Sequence, residues 1–83
     1  MKTAREMFEQ LGYELEENDY PWLTTYIKRT RFFELKIVFN HIERTIYLHN
    51  TYKDIKEHTR FECSIELLEV IHSQMKELGW LDE

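Results

Sequence analysis

The sequence predicts an α+β fold: an N-terminal helix, a four- to five-stranded antiparallel β-meander and a C-terminal helix, with both helices on one sheet face. Three observations predict it. The two ends echo each other, Met7-Phe8-Glu9-Gln10-Leu11-Gly12-Tyr13 being answered by Met75-Lys76-Glu77-Leu78-Gly79-Trp80. Each reads as the last turn of a helix stopped by a glycine, which takes the left-handed conformation at little steric cost. Between the echoes, Phe33, Leu35, Ile37 and Phe39 form the longest strict apolar–polar alternation in the chain, the mark of a half-buried strand. Short connections between neighbouring runs then favour antiparallel hairpins.

Taken in order, Thr3-Ala4-Arg5-Glu6 matches a capping box, in which the threonine accepts from a first-turn amide and the glutamate reaches back. Ala4, Met7, Phe8 and Leu11 share one helical face, so the first helix is expected over about Thr3 to Leu11. Tyr13 to Glu17 alternates as a short strand, Asn18-Asp19 turns, and Pro21 belongs at an edge or just before the next strand. Leu23, Thr25 and Ile27 fall on one side of that strand and Trp22, Thr24 and Tyr26 on the other. A turn near Asn40 to Arg44 leads to Ile46 and Leu48, which continue the buried face. Thr51 to His58 offers only Tyr52 and Ile55 as apolar anchors and reads as a loop. Arg60 to Cys63 suggests a short fifth strand. Ser64 is a plausible N-cap for a helix whose stripe is Ile65, Leu68, Ile71, Met75 and Leu78, with Leu67 beside it.

At 83 residues the chain is expected to form a single domain, 1–83. A domain of this size buries only roughly 60–65% of the surface its unfolded chain exposes, so each apolar residue matters. Hydrophobic residues make up 42% and charged residues 33%, a globular composition rather than a disordered one. Cys63 is the only cysteine, which excludes an internal disulfide and fits a reducing compartment. No run approaches the 18 or so apolar residues a membrane helix needs. Met1-Lys2-Thr3 leads straight into an amphipathic pattern, so a soluble cytoplasmic protein starting at its native methionine is expected.

The net charge of −5 is unevenly spread. Residues 1–20 carry two basic side chains against six acidic ones, residues 28–44 five against two, and residues 61–83 one against six. Acidic ends enclose a basic middle, a field that either orients a partner or keeps the protein in solution.

The opening Lys-Thr-Ala-Arg-Glu-Met-Phe-Glu-Gln-Leu-Gly-Tyr-Glu over residues 2–14 and the Glu-Leu-Gly-Trp-Leu close within 64–81 resemble a group of short uncharacterised proteins encoded by phages and prophages of Gram-positive bacteria. The shared motifs are caps and helix stops. The resemblance implies a phage accessory protein and carries no functional residue with it.

No cofactor, metal site or catalytic residue is expected. Zinc sites show paired ligands at short spacing, whereas His41, His49, His58, Cys63 and His72 are separated by gaps of 8, 9, 5 and 9 residues. Cys63 is the one candidate nucleophile, and any base would have to come from a distant part of the fold. Its alternation with Phe61 suggests a core thiol. There is no Gly-rich phosphate loop and no nucleophile elbow, so an enzyme is not expected.

Two binding readings remain. If Leu23, Ile27, Phe33, Leu35, Ile37, Phe39, Ile46 and Leu48 face the helices, period-two geometry turns Trp22, Tyr26, Phe32, Val38 and Tyr47 outward. Monomers seldom leave such an apolar patch bare. The leading expectation is therefore a small interaction protein that pairs with itself as a homodimer or docks on a host or phage protein, centred on Tyr26 and Tyr47. The alternative is single-stranded nucleic-acid binding through the hairpin 26–47, where Lys28, Arg29, Arg31, Lys36 and Arg44 are interleaved with aromatics. The acidic ends oppose it.

Overall fold

The computed structural model describes residues 2–52 and 62–81. In chain order they form α1 (Ala4–Gln10), β1 (Glu14–Glu16), β2 (Leu23–Arg29), β3 (Phe33–Asn40), β4 (Thr45–Tyr52) and α2 (Ile65–Glu77). The strands make one antiparallel sheet in the order β1-β2-β3-β4. This is the α+β meander flanked by helices that the sequence predicts.

Both helices start on the expected caps. Thr3 Oγ1 accepts from the Glu6 amide at 3.1 Å while Glu6 Oε1 accepts from the Thr3 amide at 2.8 Å. The bond from the Thr3 amide, with a second from the Thr3 hydroxyl at 3.2 Å, lowers the pKa of the Glu6 carboxyl from its ordinary value. Ser64 Oγ accepts from the Leu67 amide at 3.1 Å. Both helices also end in the same way. Gly12 (φ 92°) and Gly79 (φ 77°) take the left-handed conformation. The Tyr13 and Trp80 amides then donate back to Phe8 O and Met75 O, both at 3.0 Å, and the glycine amides to Glu9 O and Lys76 O. This is the paired bonding of a Schellman stop, made twice. It folds each following aromatic onto the core, Tyr13 edge-on to Phe8 at 5.8 Å and Trp80 beside Phe39 at 6.1 Å.

The turns rest on side-chain acceptors. Thr30 Oγ1 accepts from the Phe32 and Phe33 amides in the β2–β3 turn. Asn40 Oδ1 accepts from those of Ile42 and Glu43 before Arg44, which sits at φ 56°. Such local acceptors offer the backbone an alternative to continuing the ladder.

Register decides which side of the sheet is covered. Leu15, Tyr26, Ile37 and Leu48 are cross-strand partners in one row, and Thr24, Phe39 and Ile46 in another. These rows face the helices. Phe8 of α1 stacks on Tyr26 at 3.9 Å between centroids, and Phe39 meets both rings edge-on at 6.2 Å. Phe8, Ile37 and Phe39 are fully buried, joined by Leu67, Val70 and Ile71 of α2. Both helices thus cover one face, as expected.

The face expected for β2 is corrected. Tyr26 points into the core, while Leu23, Thr25 and Ile27 point to the opposite face. Both sides of β2 carry apolar residues, so alternation alone does not orient the strand. The large ring stacked on Phe8 outweighs Ile27, which finds cover elsewhere. Thr51 and Tyr52, expected in a loop, extend β4. The rest of that expected loop, 53–58, lies outside the described residues, as do Arg60 and Phe61 of the expected fifth strand. Glu62 and Cys63 are not in a strand, and Cys63 is exposed rather than a core thiol.

Candidate interaction surfaces

The residues expected to form one outward patch separate into four environments. Tyr26 is buried at 3% exposure, and its Oη donates to Gln74 Oε1 on α2 at 2.6 Å. Burial pushes its phenol up to about 12, with the Glu77 carboxylate adding to the shift. Burial likewise raises the Tyr13 phenol. Tyr26 therefore belongs to the core and to no surface. Trp22 lies at the entrance to β2 against Tyr20, with centroids 5.1 Å apart. Phe32 sits exposed on the β2–β3 turn. Only Val38 and Tyr47 are neighbours as expected, paired across β3 and β4 on the face away from the helices.

That face is not bare. Glu16 lies between two cations, its Oε2 3.6 Å from Arg29 Nη2 and its Oε1 3.8 Å from Lys36 Nζ. Arg29 Nε also pairs with Glu34 Oε2 at 3.1 Å. Ile27 sits among these side chains, flanked across the strands by Glu14 and Lys36, and is only 3% exposed. Long charged side chains cover apolar surface with their stems while keeping their heads in water. A charged lattice thus lies over the Ile27 part of this face, while Tyr47 on β4 stays exposed.

The same pairs bear on the cations proposed for nucleic acid. Arg29 and Lys36 share acidic partners on the open face. Lys28 is on the helix side, with Nζ 5.7 Å from the Tyr13 ring centroid. Its Cε would lie 3.2 Å from a Cβ placed on Gly12, a crowding that the flexible lysine stem can relieve, so it is the positive φ that favours glycine there. Arg31 and Arg44 occupy turns at opposite ends of β3. The five cations are distributed over two faces and two ends.

The histidines are distributed as well. His41 Nε2 lies 2.7 Å from Thr24 Oγ1 and its ring meets Trp80 edge-on at 6.3 Å, which gives it a structural post. His49 and His72 are exposed, and His58 lies outside the described residues. Among the described residues no three His, Cys, Asp or Glu side chains are grouped to hold a metal ion. The Cys63 thiol donates to the carbonyl of its own neighbour, Ser64 O at 3.6 Å.

Sequence reasoning turned Tyr47 of β4 outward but missed the exposure of Leu48 and of part of α2. Tyr47 on one face is 54% exposed and Leu48 on the other 42%. Ile65 and Leu68 of α2, assigned to its core stripe, are 73% and 57% exposed. They border a shallow groove of about 620 Å³ with His72 and Met75. The signal was present as excess: α2 carries more apolar residues than one helix face holds. Leu67, Val70 and Ile71 fill the inner stripe, leaving the others over.

Comparisons with protein-family models, with curated proteins and with solved structures find no match. No helix among the described residues is long and apolar enough to cross a membrane.

Proposed function

We propose that this chain is a small interaction protein, an accessory factor of phage or prophage origin acting in the cytoplasm, that works by docking on another protein rather than by catalysis. The observation that carries the reading is the strand β4. It places Tyr47 on one face and Leu48 on the other, both largely exposed, and its eight residues include no Asp, Glu, Lys or Arg. Apolar groups held on a rigid strand cost little conformational entropy when a partner covers them. The phage assignment is supported by the resemblance of the two end motifs.

Nucleic-acid binding has less support. Two of its cations are already engaged by Glu16 and Glu34, and the others do not share a surface.

The test uses the purified chain and a Tyr47→Glu/Leu48→Lys variant, both checked for folding by circular dichroism. Association is measured by light scattering, and each protein also serves as bait for partners identified by mass spectrometry. The reading expects either self-association or a defined bound protein, lost in the variant. Equal behaviour of the two baits, with both chains monomeric, would overturn it.

A further inference from the structure

We infer that the outer face of α2 is a second docking surface, shaped for an amphipathic helix of another protein whose apolar stripe is flanked by lysine or arginine. It goes beyond the β4 reading, since no residue of that strand lines this face among the described residues. The helix α2 carries two stripes and the fold uses one of them. Leu67, Val70, Ile71 and Gln74 are its buried residues. Ile65, Leu68, His72 and Met75 form the other stripe, at successive spacings of three, four and three residues. All four line the groove of about 620 Å³, to which α1 contributes Met7. Ile65 and Leu68 are among the most exposed large apolar residues of the protein.

The spacing points to a helix as the occupant. Apolar positions three and four apart make the narrow seam by which one helix packs on another. A single polar residue in such a seam, here His72, fixes register at a cost in stability. Met7 and Met75, both half-buried, are unbranched and adaptable, which suits a surface that moulds itself to incoming side chains. An extended peptide would need the main-chain groups of a strand to bond to. A helix face offers none, because its backbone bonds are made internally.

Charge selects the partner. Glu69 lines the groove, and Glu66 lines the adjoining trough that shares Met7, Glu69 and Ser73 with it. Both glutamates are exposed, and among the described residues no cation pairs with either. The whole of α2 carries three glutamates against one lysine, Lys76 in its last turn, and Lys2 is the cation of the adjoining trough. A helix with cations beside its stripe meets this field with opposite sign, which speeds encounter and turns acidic helices away. A second copy fits poorly. Pairing α2 with α2 brings like charges together, and the copy's basic segment lies on strands and turns rather than on a helix.

The test uses the full chain at neutral pH and two fluorescein-labelled helical peptides of about four turns. Both carry leucine along one face, one with lysine on the flanks and the other with glutamate. Fluorescence anisotropy should show the lysine peptide binding on the order of tenfold or more tighter than the glutamate peptide. Leu68→Gln and, separately, Ile65→Gln should weaken it by about as much, both at exposed positions and both checked for folding by circular dichroism. Glu66→Gln/Glu69→Gln should weaken it less and flatten its dependence on salt. Phe32→Gln, an exposed aromatic on the distant β2–β3 turn, should bind as the natural chain does. Equal binding of the two peptides, binding indifferent to both Leu68→Gln and Ile65→Gln, or no binding of either peptide would overturn the inference. So would a dimer in sedimentation equilibrium that Leu68→Gln dissociates, since the occupant would then be a second copy. None of these outcomes bears on β4, which the bait experiment decides.

Discussion

Tyr26 Oη donates to Gln74 Oε1 at 2.6 Å inside the core, tying the second strand to the last helix across 48 residues of chain. Both side chains are nearly fully buried, at 3% and 6% exposure. The bond therefore matters less for its net strength than for the cost of leaving either partner alone. Next to it, Glu77 Oε2 accepts from the Ala4 amide at 2.6 Å, so the end of α2 also caps the start of α1.

Removing one partner is expected to be worse than removing both. Tyr26→Phe leaves a buried amide oxygen unsatisfied and should cost about 1–3 kcal/mol. Each kcal/mol corresponds to roughly 4–8 °C in Tm for a domain of this size. Tyr26→Phe/Gln74→Leu removes the polar pair together and should recover much of the loss. A thermal double-mutant cycle measures the coupling. Additive losses would mean that the bond contributes nothing beyond its surroundings.

The same phenol makes stability sensitive to alkali. Its pKa is about 12 in the folded chain against 10.0 for the free side chain. The folded state thus disfavours tyrosinate, and the contribution is fully present below pH 10. Between pH 10 and 12 the unfolded chain loses the proton while the folded chain keeps it, so stability falls by on the order of 1.4 kcal/mol per pH unit from this group. Tyr13, also raised, acts in the same direction. Urea unfolding at pH 8, 10 and 11 should show this decline, and Tyr26→Phe should flatten it.

Cys63 supplies a direct check on its placement. An exposed thiol reacts with Ellman's reagent in the folded protein, whereas a core thiol waits for unfolding. Full reaction without denaturant is expected, and Cys63→Ser should change stability by less than about 0.5 kcal/mol, as for an ordinary surface substitution. Slow reaction limited by unfolding would return Cys63 to the core.

Much of the fold was legible because its signals were local. The caps at Thr3 and Ser64 and the stops at Gly12 and Gly79 each depend on a few adjacent residues, and all four form as read. The face of β2 was not legible. Trp22, Tyr26 and Leu23, Ile27 lie on alternate sides of the strand, both sides are apolar, and a one-residue choice inverts every side chain. What orients the strand is Phe8 and Gln74, one near each end of the chain. The charged roof over Ile27 was hidden for a similar reason: Glu16, Arg29, Glu34 and Lys36 come from three strands and meet only through the register.

That roof leads to the last expectation, which separates its two roles. Ile27 is as buried as a core residue, although no helix covers it. Ile27→Ala should cost about 2–5 kcal/mol, the range of buried aliphatic truncations. Glu16→Gln, in contrast, removes only partly exposed ion pairs, worth at most about 1 kcal/mol, while its stem remains to shield Ile27. What Glu16→Gln changes is charge: Arg29 and Lys36 lose a shared partner. Non-specific nucleic-acid affinity follows the number of cations free to neutralise phosphates, and it weakens with salt. Labelled single-stranded DNA at low salt should therefore bind the natural chain weakly and Glu16→Gln/Glu34→Gln measurably better. The gain should vanish when Arg29→Ala is added or salt is raised. Tight, salt-sensitive binding by the unaltered chain would instead show that the ion pairs open for phosphate, and would place the basic hairpin ahead of β4 as the working surface.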